Sequence, residues 1–168
     1  SLPAGKRLLV IIPAYNEEKR IVSTIEKIRE YLLQQASLDS WEIIIIDDGS
    51  KDNTRNVANE AVSKDSRIRI NPQRQNRGKG FSVKEGMLQA KYDLMLFSDA
   101  DLSTPIEMLA RFFPYLGEYE VIIGSRSIEG AEIKIKQPWY RSIPGKVFPL
   151  LVRALILRGI KDTQCGFK

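Results

Sequence analysis

Asp99 and Asp101 are the two residues whose type and spacing most directly indicate chemistry. One alanine separates them, and they follow the apolar stretch 94–97, so a single turn can point both carboxylates at one cation. Hard divalent ions such as Mg²⁺ and Mn²⁺ prefer oxygen ligands and commonly bridge carboxylates to a diphosphate. Asp-x-Asp also occurs in many turns that bind nothing, and only its place at the end of an apparent buried strand favours a metal site.

Other polar segments occupy similar places along the chain. In open α/β sheets, ligands bind outside the carboxyl ends of the strands, because loops and helix N-termini converge there. The pair Asp47-Asp48 has two interpretations: it starts a turn and caps a helix, since Asp-Gly-Ser is common in turns, or it accepts hydrogen bonds from a nucleobase or ribose. The candidate segments besides the Asp99–Asp101 turn are 13–17, 47–50, 76–80 and 124–126.

Composition excludes several classes of protein and of site. The 168 residues contain no histidine and one cysteine, which rules out Ser-His-Asp and Cys-His catalysis, His-ligated metals and an intrachain disulfide. The 76–80 segment lacks the order of a Walker loop, and no Gly-x-Gly-x-x-Gly follows the first apolar run. These absences argue against an ordinary ATPase or an NAD-dependent enzyme.

The elements that must position these residues alternate between strand and helix. Two continuous apolar runs, 8–12 and 43–46, are typical of parallel strands covered on both faces. Between them, segment 17–35 places apolar residues at helical spacing. The pattern predicts an open α/β sheet with helices on both faces. The further predicted elements are helix 53–63, strand 68–71, helix 79–90, strand 93–98, a helix from Pro105 to about 113, and strand 119–124.

The positive charge is concentrated in the last quarter of the chain. The net charge is +5, yet residues 126–168 hold nine basic and three acidic side chains, so the first 125 residues are close to neutral. This asymmetry indicates an anionic partner, whether nucleic acid, a membrane surface or a phosphorylated substrate. We expect one domain with two parts, a nearly neutral part at 1–125 and a basic part at 126–168.

Segment 144–157 is apolar with two basic residues, Lys146 and Arg153. At 14 residues it is shorter than the roughly 20 that a membrane-spanning helix needs. Two interpretations stay open: a buried core helix kinked at Pro149, or an interfacial helix with its basic residues toward lipid head groups.

Three segments together carry a resemblance to a known family. Residues 9–18, 46–54 and 98–101 resemble family 2 glycosyltransferases in sequence, order and spacing. Segments 76–80, 124–126 and 162–168 are most similar to the polyprenyl-phosphate sugar synthases, above all to dolichyl-phosphate beta-glucosyltransferases, with dolichyl-phosphate mannosyltransferases as near neighbours. The resemblance implies the GT-A type fold of nucleotide-diphospho-sugar transferases, with an open, mostly parallel Rossmann-like sheet.

The resemblance also implies roles for the two parts of the domain and for matching positions: residues 1–125 would bind the nucleotide sugar and residues 126–168 would form the acceptor side. Asp99 and Asp101 would bind Mg²⁺ or Mn²⁺, Arg126 would face the acceptor phosphate or the diphosphate, and Asp162 and Gln164 would border the sugar and acceptor site. Asp101, Arg126 and Asp162 form the expected catalytic set. The expected nucleotide-sugar contacts are Pro13, Ala14, Tyr15, Glu17, Asp47, Asp48, Lys79, Asp99, Ala100 and Gln164.

The implied reaction is inverting transfer of a hexose, glucose favoured, from UDP-glucose to a polyprenyl phosphate at the cytoplasmic face of a membrane. An anionic phosphate acceptor needs no general base, which fits a chain without histidine. The alternatives are GDP-mannose as donor, or a hydroxyl acceptor in glycan synthesis with Asp162 as base. Ser103 stands where mannosyl synthases usually carry Gln, which disfavours the mannosyl alternative.

Two further expectations concern partners and completeness. No nucleic-acid-binding motif is present, and Trp139-Tyr140 is too short an aromatic cluster for base stacking, so we expect no nucleic-acid partner. Because the sequence stops directly after Cys-Gly-Phe-Lys, the resemblance implies a catalytic-domain fragment whose membrane anchoring or interface segments lie elsewhere.

Overall fold

The structure, a computed structural model, describes residues 5–89, 91–124 and 167. Its centre is a four-stranded sheet in the order β3-β2-β1-β4, in which every neighbouring pair of strands is parallel. Helices cover both faces, so the expected open α/β sheet is confirmed. The strands are β1 (Lys6–Ala14), β2 (Leu38–Asp47), β3 (Ile68–Pro72) and β4 (Leu94–Phe97), and the helices are α1 (Ile21–Leu33), α2 (Thr54–Lys64) and α3 (Lys79–Leu88).

The two central strands form the core of this sheet. The apolar residues 8–12 of β1 and 43–46 of β2 are all buried, as expected for strands covered on both faces. Helix α1 turns Ile21, Ile25, Ile28 and Leu32 toward them, at the spacing that the sequence predicted. The burial of these side chains removes a large apolar surface from water and so stabilises the sheet and α1 against each other.

Helix α3 lies unusually close to β1 at one glycine. A Cβ atom placed on Gly86 would lie 2.4 Å from Cγ2 of Ile11. Because real Cβ atoms do not approach other atoms so closely, a larger residue would force the buried Ile11 side chain or the helix to shift. Gly86 therefore permits the close packing of α3 on β1.

Two predicted elements differ in the structure. The segment predicted as a helix from Pro105 to about 113 forms 3₁₀ turns at Ile106–Arg111 and Phe113–Tyr115. Pro114 has no N–H to donate to Ala110, which prevents an α-helix from continuing through this segment.

The predicted strand 119–124 does not form within the described part of the chain. Tyr119 forms an isolated bridge with Leu116 rather than a strand ladder, and Val121 is 71% exposed. No described strand lies beside this segment, so its backbone has no ladder to join. The prediction of a fifth strand was therefore wrong for these residues.

Residues up to Ile122, together with Phe167, form one compact unit, while Ile123 and Gly124 belong to a second unit. Within the described residues, no helix is both long enough and apolar enough to cross a membrane. The apolar segment 144–157 and the site residues Arg126, Asp162 and Gln164 lie outside the described residues.

Candidate active site

The carboxyl ends of three adjacent strands bring the predicted segments together. Ala14 at the end of β1 pairs with Asp47 at the end of β2, and Ile11 pairs with Phe97 at the end of β4. The backbone N–H of Asp48 donates to the carbonyl of Ala14 at 2.8 Å, which extends the pairing one residue beyond the strands. The loops after β1, β2 and β4 are therefore neighbours at the carboxyl end of the sheet.

The loop after β1 is tied to the turn after β2 by side-chain bonds. Asn16 has a left-handed backbone with a φ of 57°, its N–H donates to Oγ of Ser50 at 3.0 Å, and its Oδ1 accepts from the N–H of Lys51 at 2.9 Å. The N–H of Glu17 donates to Oγ1 of Thr54 at 2.7 Å. These bonds hold Tyr15, which is 39% exposed, at the carboxyl end of the sheet.

A second set of bonds reinforces this connection one residue further on. The N–H of Glu18 donates to Asp52 at 3.2 Å, and the N–H of Asn53 donates back to the Glu18 carboxylate at 2.9 Å. Burial of Asp52 opposes its ionisation, but hydrogen bonds from Thr54 and from the backbone of Glu18 outweigh that effect and lower its pKa. A charged carboxylate therefore fixes the start of α2 against the loop after β1.

Asp47 is fully buried and bonded within the protein. Its Oδ1 accepts from the N–H of Ser50 at 3.0 Å, and its Oδ2 accepts from Nε of Arg55 at 3.0 Å. The carboxylate thus closes the turn after β2 and pairs with the first turn of α2. A contact to a base stays a prediction, and it requires movement of the residues that cover Asp47.

Asp48 connects the turn after β2 to the loop before α3. Its two oxygens accept the backbone N–H groups of Arg77 at 2.9 Å and Gly78 at 2.8 Å, and the residue is 3% exposed. Gly49 makes this close approach possible, because it has a φ of 70° and a Cβ there would lie 2.7 Å from the backbone carbon of Gln75. For Asp48, too, a base contact remains a prediction.

Lys79, the first residue of α3, forms a close ion pair with Asp99. The lysine side chain is 52% exposed and the aspartate 21%. The ammonium group also lies 5.1 Å from the centre of the Phe97 ring, within the range of a cation–π contact. The structure therefore brings together two residues that lie 20 positions apart in the sequence.

The Asp99–Asp101 turn is held in place by one hydrogen bond from α1 and by one from the backbone just after it. The carbonyl of Ala100 accepts from the hydroxyl of Thr24 at 2.6 Å, and Oδ1 of Asp101 accepts from the N–H of Ser103 at 2.9 Å. Leu102 has a φ of 47°, an unusual value for a residue with a side chain. Asp101 is exposed, so its carboxylate is accessible to a ligand.

The hydroxyl group of Ser98 lies directly before this turn. Its oxygen is fully buried and has no hydrogen-bond partner among the described residues. The backbone of Ser98 donates to Ile11 at 3.0 Å and forms an antiparallel bridge with Phe167. Phe167 thereby anchors the strand end from which Asp99 projects.

Thr24 and Thr54 support the site, and the sequence interpretation assigned them no role. Thr24 lies on the apolar stripe of α1, between Ile21 and Ile25, and is 4% exposed. A hydroxyl at such a position needs a buried acceptor, which is the signal that could have indicated its bond to the Asp99–Asp101 turn. Thr54 was part of the segment that carried the family resemblance.

The described residues contain no cluster of three or more acidic, Cys or His side chains able to hold a metal ion. Asp99 and Asp101 therefore offer two protein carboxylates at most within this part of the chain. Such a pair holds a divalent ion only when a substrate or water completes the coordination.

Comparison with known proteins gives a consistent result. The model of glycosyl transferase family 2 matches residues 9–165. A dolichyl-phosphate beta-glucosyltransferase of Trichomonas vaginalis is 38% identical over 94% of this chain and 50% of its own length. The human dolichyl-phosphate beta-glucosyltransferase is 33% identical over 97% of this chain and 54% of its own length. The chain thus spans about half the length of the curated relatives it matches.

Solved structures agree on the fold. Glucosyl-3-phosphoglycerate synthase of M. tuberculosis superposes with a TM-score of 0.61 at 24% identity, covering 97% of this chain and 57% of that one. A structure of glucosyl-3-phosphoglycerate synthase with Mn²⁺, UDP and glucosyl-3-phosphoglycerate bound gives a TM-score of 0.50 at 28% identity, over 64% and 38% of the two chains. The expected GT-A type fold is confirmed. With the family model covering nearly all of its length, the chain belongs to glycosyl transferase family 2.

Proposed function

We propose that this chain is the catalytic part of an inverting glucosyltransferase that moves glucose from UDP-glucose to a polyprenyl phosphate such as dolichyl phosphate. The observation that carries the proposal is the accessible Asp99–Asp101 turn at the carboxyl edge of the sheet, with the Lys79 ammonium against it. The relatives' names support the choice of donor sugar and acceptor class.

The two carboxylates fit Mg²⁺ or Mn²⁺. Their oxygens are the hard ligands that these ions prefer, and the site already attracts one cation, the ammonium group of Lys79. Asp99 and Asp101 would hold the ion, while the diphosphate of the donor and water would complete its coordination. The bound metal would stabilise the negative charge that develops on the leaving diphosphate.

The remaining chemistry needs little from the protein beyond positioning. A phosphate oxygen of the acceptor forms the new bond to C1 of the sugar as the bond from C1 to the diphosphate oxygen breaks, and one displacement inverts the configuration. The acceptor is already anionic, so no proton has to be removed. Arg126 would hold the acceptor phosphate or the diphosphate, and Asp162 and Gln164 would border the sugar.

The donor nucleotide would lie along the loops after β1 and β2. Tyr15 is exposed there and offers an aromatic face for the base. Residues 1–125 would supply this donor site and residues 126–168 the acceptor side, at the cytoplasmic face of a membrane. The proposed lining residues are Pro13, Ala14, Tyr15, Glu17, Asp47, Asp48, Lys79, Ala100 and Gln164.

A hydroxyl acceptor is the second candidate, since the neighbour at 28% identity is named for glucosyl-3-phosphoglycerate. The test is therefore a matrix of two donors, UDP-glucose and GDP-mannose, against two acceptors, dolichyl phosphate and 3-phosphoglycerate, each with and without Mn²⁺. We expect transfer only from UDP-glucose to dolichyl phosphate, and only with the metal. Transfer to 3-phosphoglycerate alone would establish the second candidate instead.

A matched pair of variants ties the result to the site. Asp101→Asn removes a charged oxygen from the exposed turn and should lower the rate at least 100-fold, about the effect of losing one strong transition-state contact. Asp39→Asn makes the same chemical change at an exposed position near the start of β2 and should leave the rate unchanged. Equal rates in the two variants would refute the metal assignment.

A further inference from the structure

We infer that Lys79 occupies the place of the metal at Asp99 until a donor diphosphate arrives, so that metal and donor bind as a coupled pair. This inference rests on the proposed function, because it takes Asp99 as a metal ligand. It assigns Lys79 a positioning role that goes beyond a fixed nucleotide contact.

The backbone of Lys79 is anchored, while about half of its side chain is exposed to solvent. The preceding residue, Gly78, has a φ of 90°, and its N–H is held by the Asp48 carboxylate at 2.8 Å. The first turn of α3 is therefore anchored to the end of β2. The Lys79 side chain, by contrast, is 52% exposed and rests on the edge of the site.

Lysine and metal compete for the same carboxylate. Asp99 is 21% exposed, and its Oδ1 atom is the one in contact with the Lys79 ammonium. A divalent ion on that oxygen would stand beside the ammonium group, and the two positive charges would repel each other. With Lys79 in place, the pair Asp99–Asp101 carries a net charge of about −1, which is weak for holding a divalent ion alone.

A donor diphosphate removes this competition. Its oxygens are better partners for an ammonium group than one partly exposed carboxylate, because they carry more charge and offer several acceptors. When Lys79 turns from Asp99 to the diphosphate, both carboxylates become available to the metal. The diphosphate should therefore raise the affinity of the protein for the metal, and the metal should raise the affinity for the diphosphate by the same factor.

The test is a titration with Mn²⁺ followed by the electron paramagnetic resonance signal of the free ion, on the whole chain, with and without UDP. Lys79→Met should bind Mn²⁺ without UDP about fivefold more tightly than the unaltered protein, the size expected from removing one partly exposed charge pair. Its affinity for UDP should fall about tenfold, as for loss of one charged hydrogen bond. The increase in Mn²⁺ affinity caused by UDP should shrink accordingly.

Two controls separate the role of Lys79 from a general effect of charge. Lys84→Met removes the same charge from an exposed position on the same helix and should behave like the unaltered protein. Lys79→Arg keeps a cation at Asp99 and should keep Mn²⁺ binding weak in the absence of UDP.

The titration distinguishes failure of the competition by Lys79 from failure of the proposed metal site. If the unaltered protein binds Mn²⁺ with UDP, but Lys79→Met binds Mn²⁺ alone no more tightly than Lys84→Met does, the competition by Lys79 is refuted and the proposed function stands. If no form of the protein binds Mn²⁺ under either condition, the inference is refuted together with the metal site of the proposed function.

Discussion

The carboxylate of Asp48 accepts the backbone N–H of Gly78 at 2.8 Å, across 30 positions of sequence. The second oxygen of the same side chain accepts the N–H of Arg77 at 2.9 Å. One buried side chain at the end of β2 thus fixes where α3 begins. Because Lys79 follows Gly78 directly, this bond also determines how Lys79 reaches Asp99.

Replacing Asp48 by Asn should therefore disturb both stability and ligand binding. An amide offers one oxygen acceptor, so one of the two backbone N–H groups would face an NH₂ group instead. We expect the free energy of unfolding to fall by about 2 kcal/mol and the affinity for UDP to fall with it, measured by urea unfolding and by calorimetry. Asp39→Asn is the matched control, and equal stability of the two variants would contradict the proposed anchoring.

Gly49 provides a second test of the contact between the turn after β2 and the loop before α3. Gly49→Ala should cost about 1–2 kcal/mol for the left-handed backbone and about 2 kcal/mol more for the collision with Gln75. Gly5 has nearly the same φ, 73° against 70°, but nothing lies within 4 Å of a Cβ placed on it. Gly5→Ala therefore measures the backbone cost alone.

The difference between the two unfolding free energies isolates the close approach. If Gly49→Ala and Gly5→Ala destabilise the protein equally, then Gly49 is required only for its conformation. In that case the turn after β2 and residues near Gln75 would not be in tight contact.

Asp65 should make the stability of the protein depend on pH in the acid range. Hydrogen bonds from Arg67 lower its pKa, burial opposes this, and a further bond from Arg29 at 2.8 Å lowers it again. Since the pKa in the folded state lies below the ordinary value of 3.8, the contribution is complete above that value and is lost as the pH falls further.

Asp65→Asn should therefore destabilise the protein by about 2 kcal/mol at pH 7 and by progressively less below pH about 4. Urea unfolding at a series of pH values checks this. Arg67 also stacks on Trp41, with its guanidinium carbon 3.9 Å from the ring centre, so part of the ordering survives the substitution. A destabilisation that stays constant down to the lowest pH would show that the charge of Asp65 is not responsible.

The sequence was sufficient to predict the elements whose pattern is local. The continuous apolar runs of β1 and β2 and the helical spacing of α1 predicted the central sheet, and the family segments predicted which strand ends carry polar residues. The prediction of a strand at 119–124 was wrong because a strand needs a neighbouring strand to pair with. The residues of the segment itself cannot indicate whether such a neighbour is present.

The sequence predicted which residues lie at the candidate site better than it predicted the contacts between them. The turn-like sequence after β2 gave equal support to a structural and a ligand-binding role for Asp47 and Asp48, and the described structure shows both carboxylates bonded to backbone or arginine groups. The pairing of Lys79 with Asp99 joins the start of a helix to the end of a strand. No local pattern encodes such a contact, since it depends on how deeply α3 packs at Gly86.

Phe167 gives the last prediction, because it anchors the strand end that carries Asp99. Its side chain is fully buried and meets the ring of Phe112 edge to face at 5.4 Å, while its backbone bridges Ser98. Phe167→Ala should lower the free energy of unfolding by about 3–5 kcal/mol, and a double-mutant cycle with Phe112→Ala should give a coupling of about 1 kcal/mol.

If the anchor positions Asp99, the affinity for Mn²⁺ in the presence of UDP should also fall, at a temperature where the variant is still folded. Phe113→Ala, at a half-buried neighbouring ring, should leave that affinity unchanged, and a Phe167→Ala variant that also kept it would limit Phe167 to a role in stability.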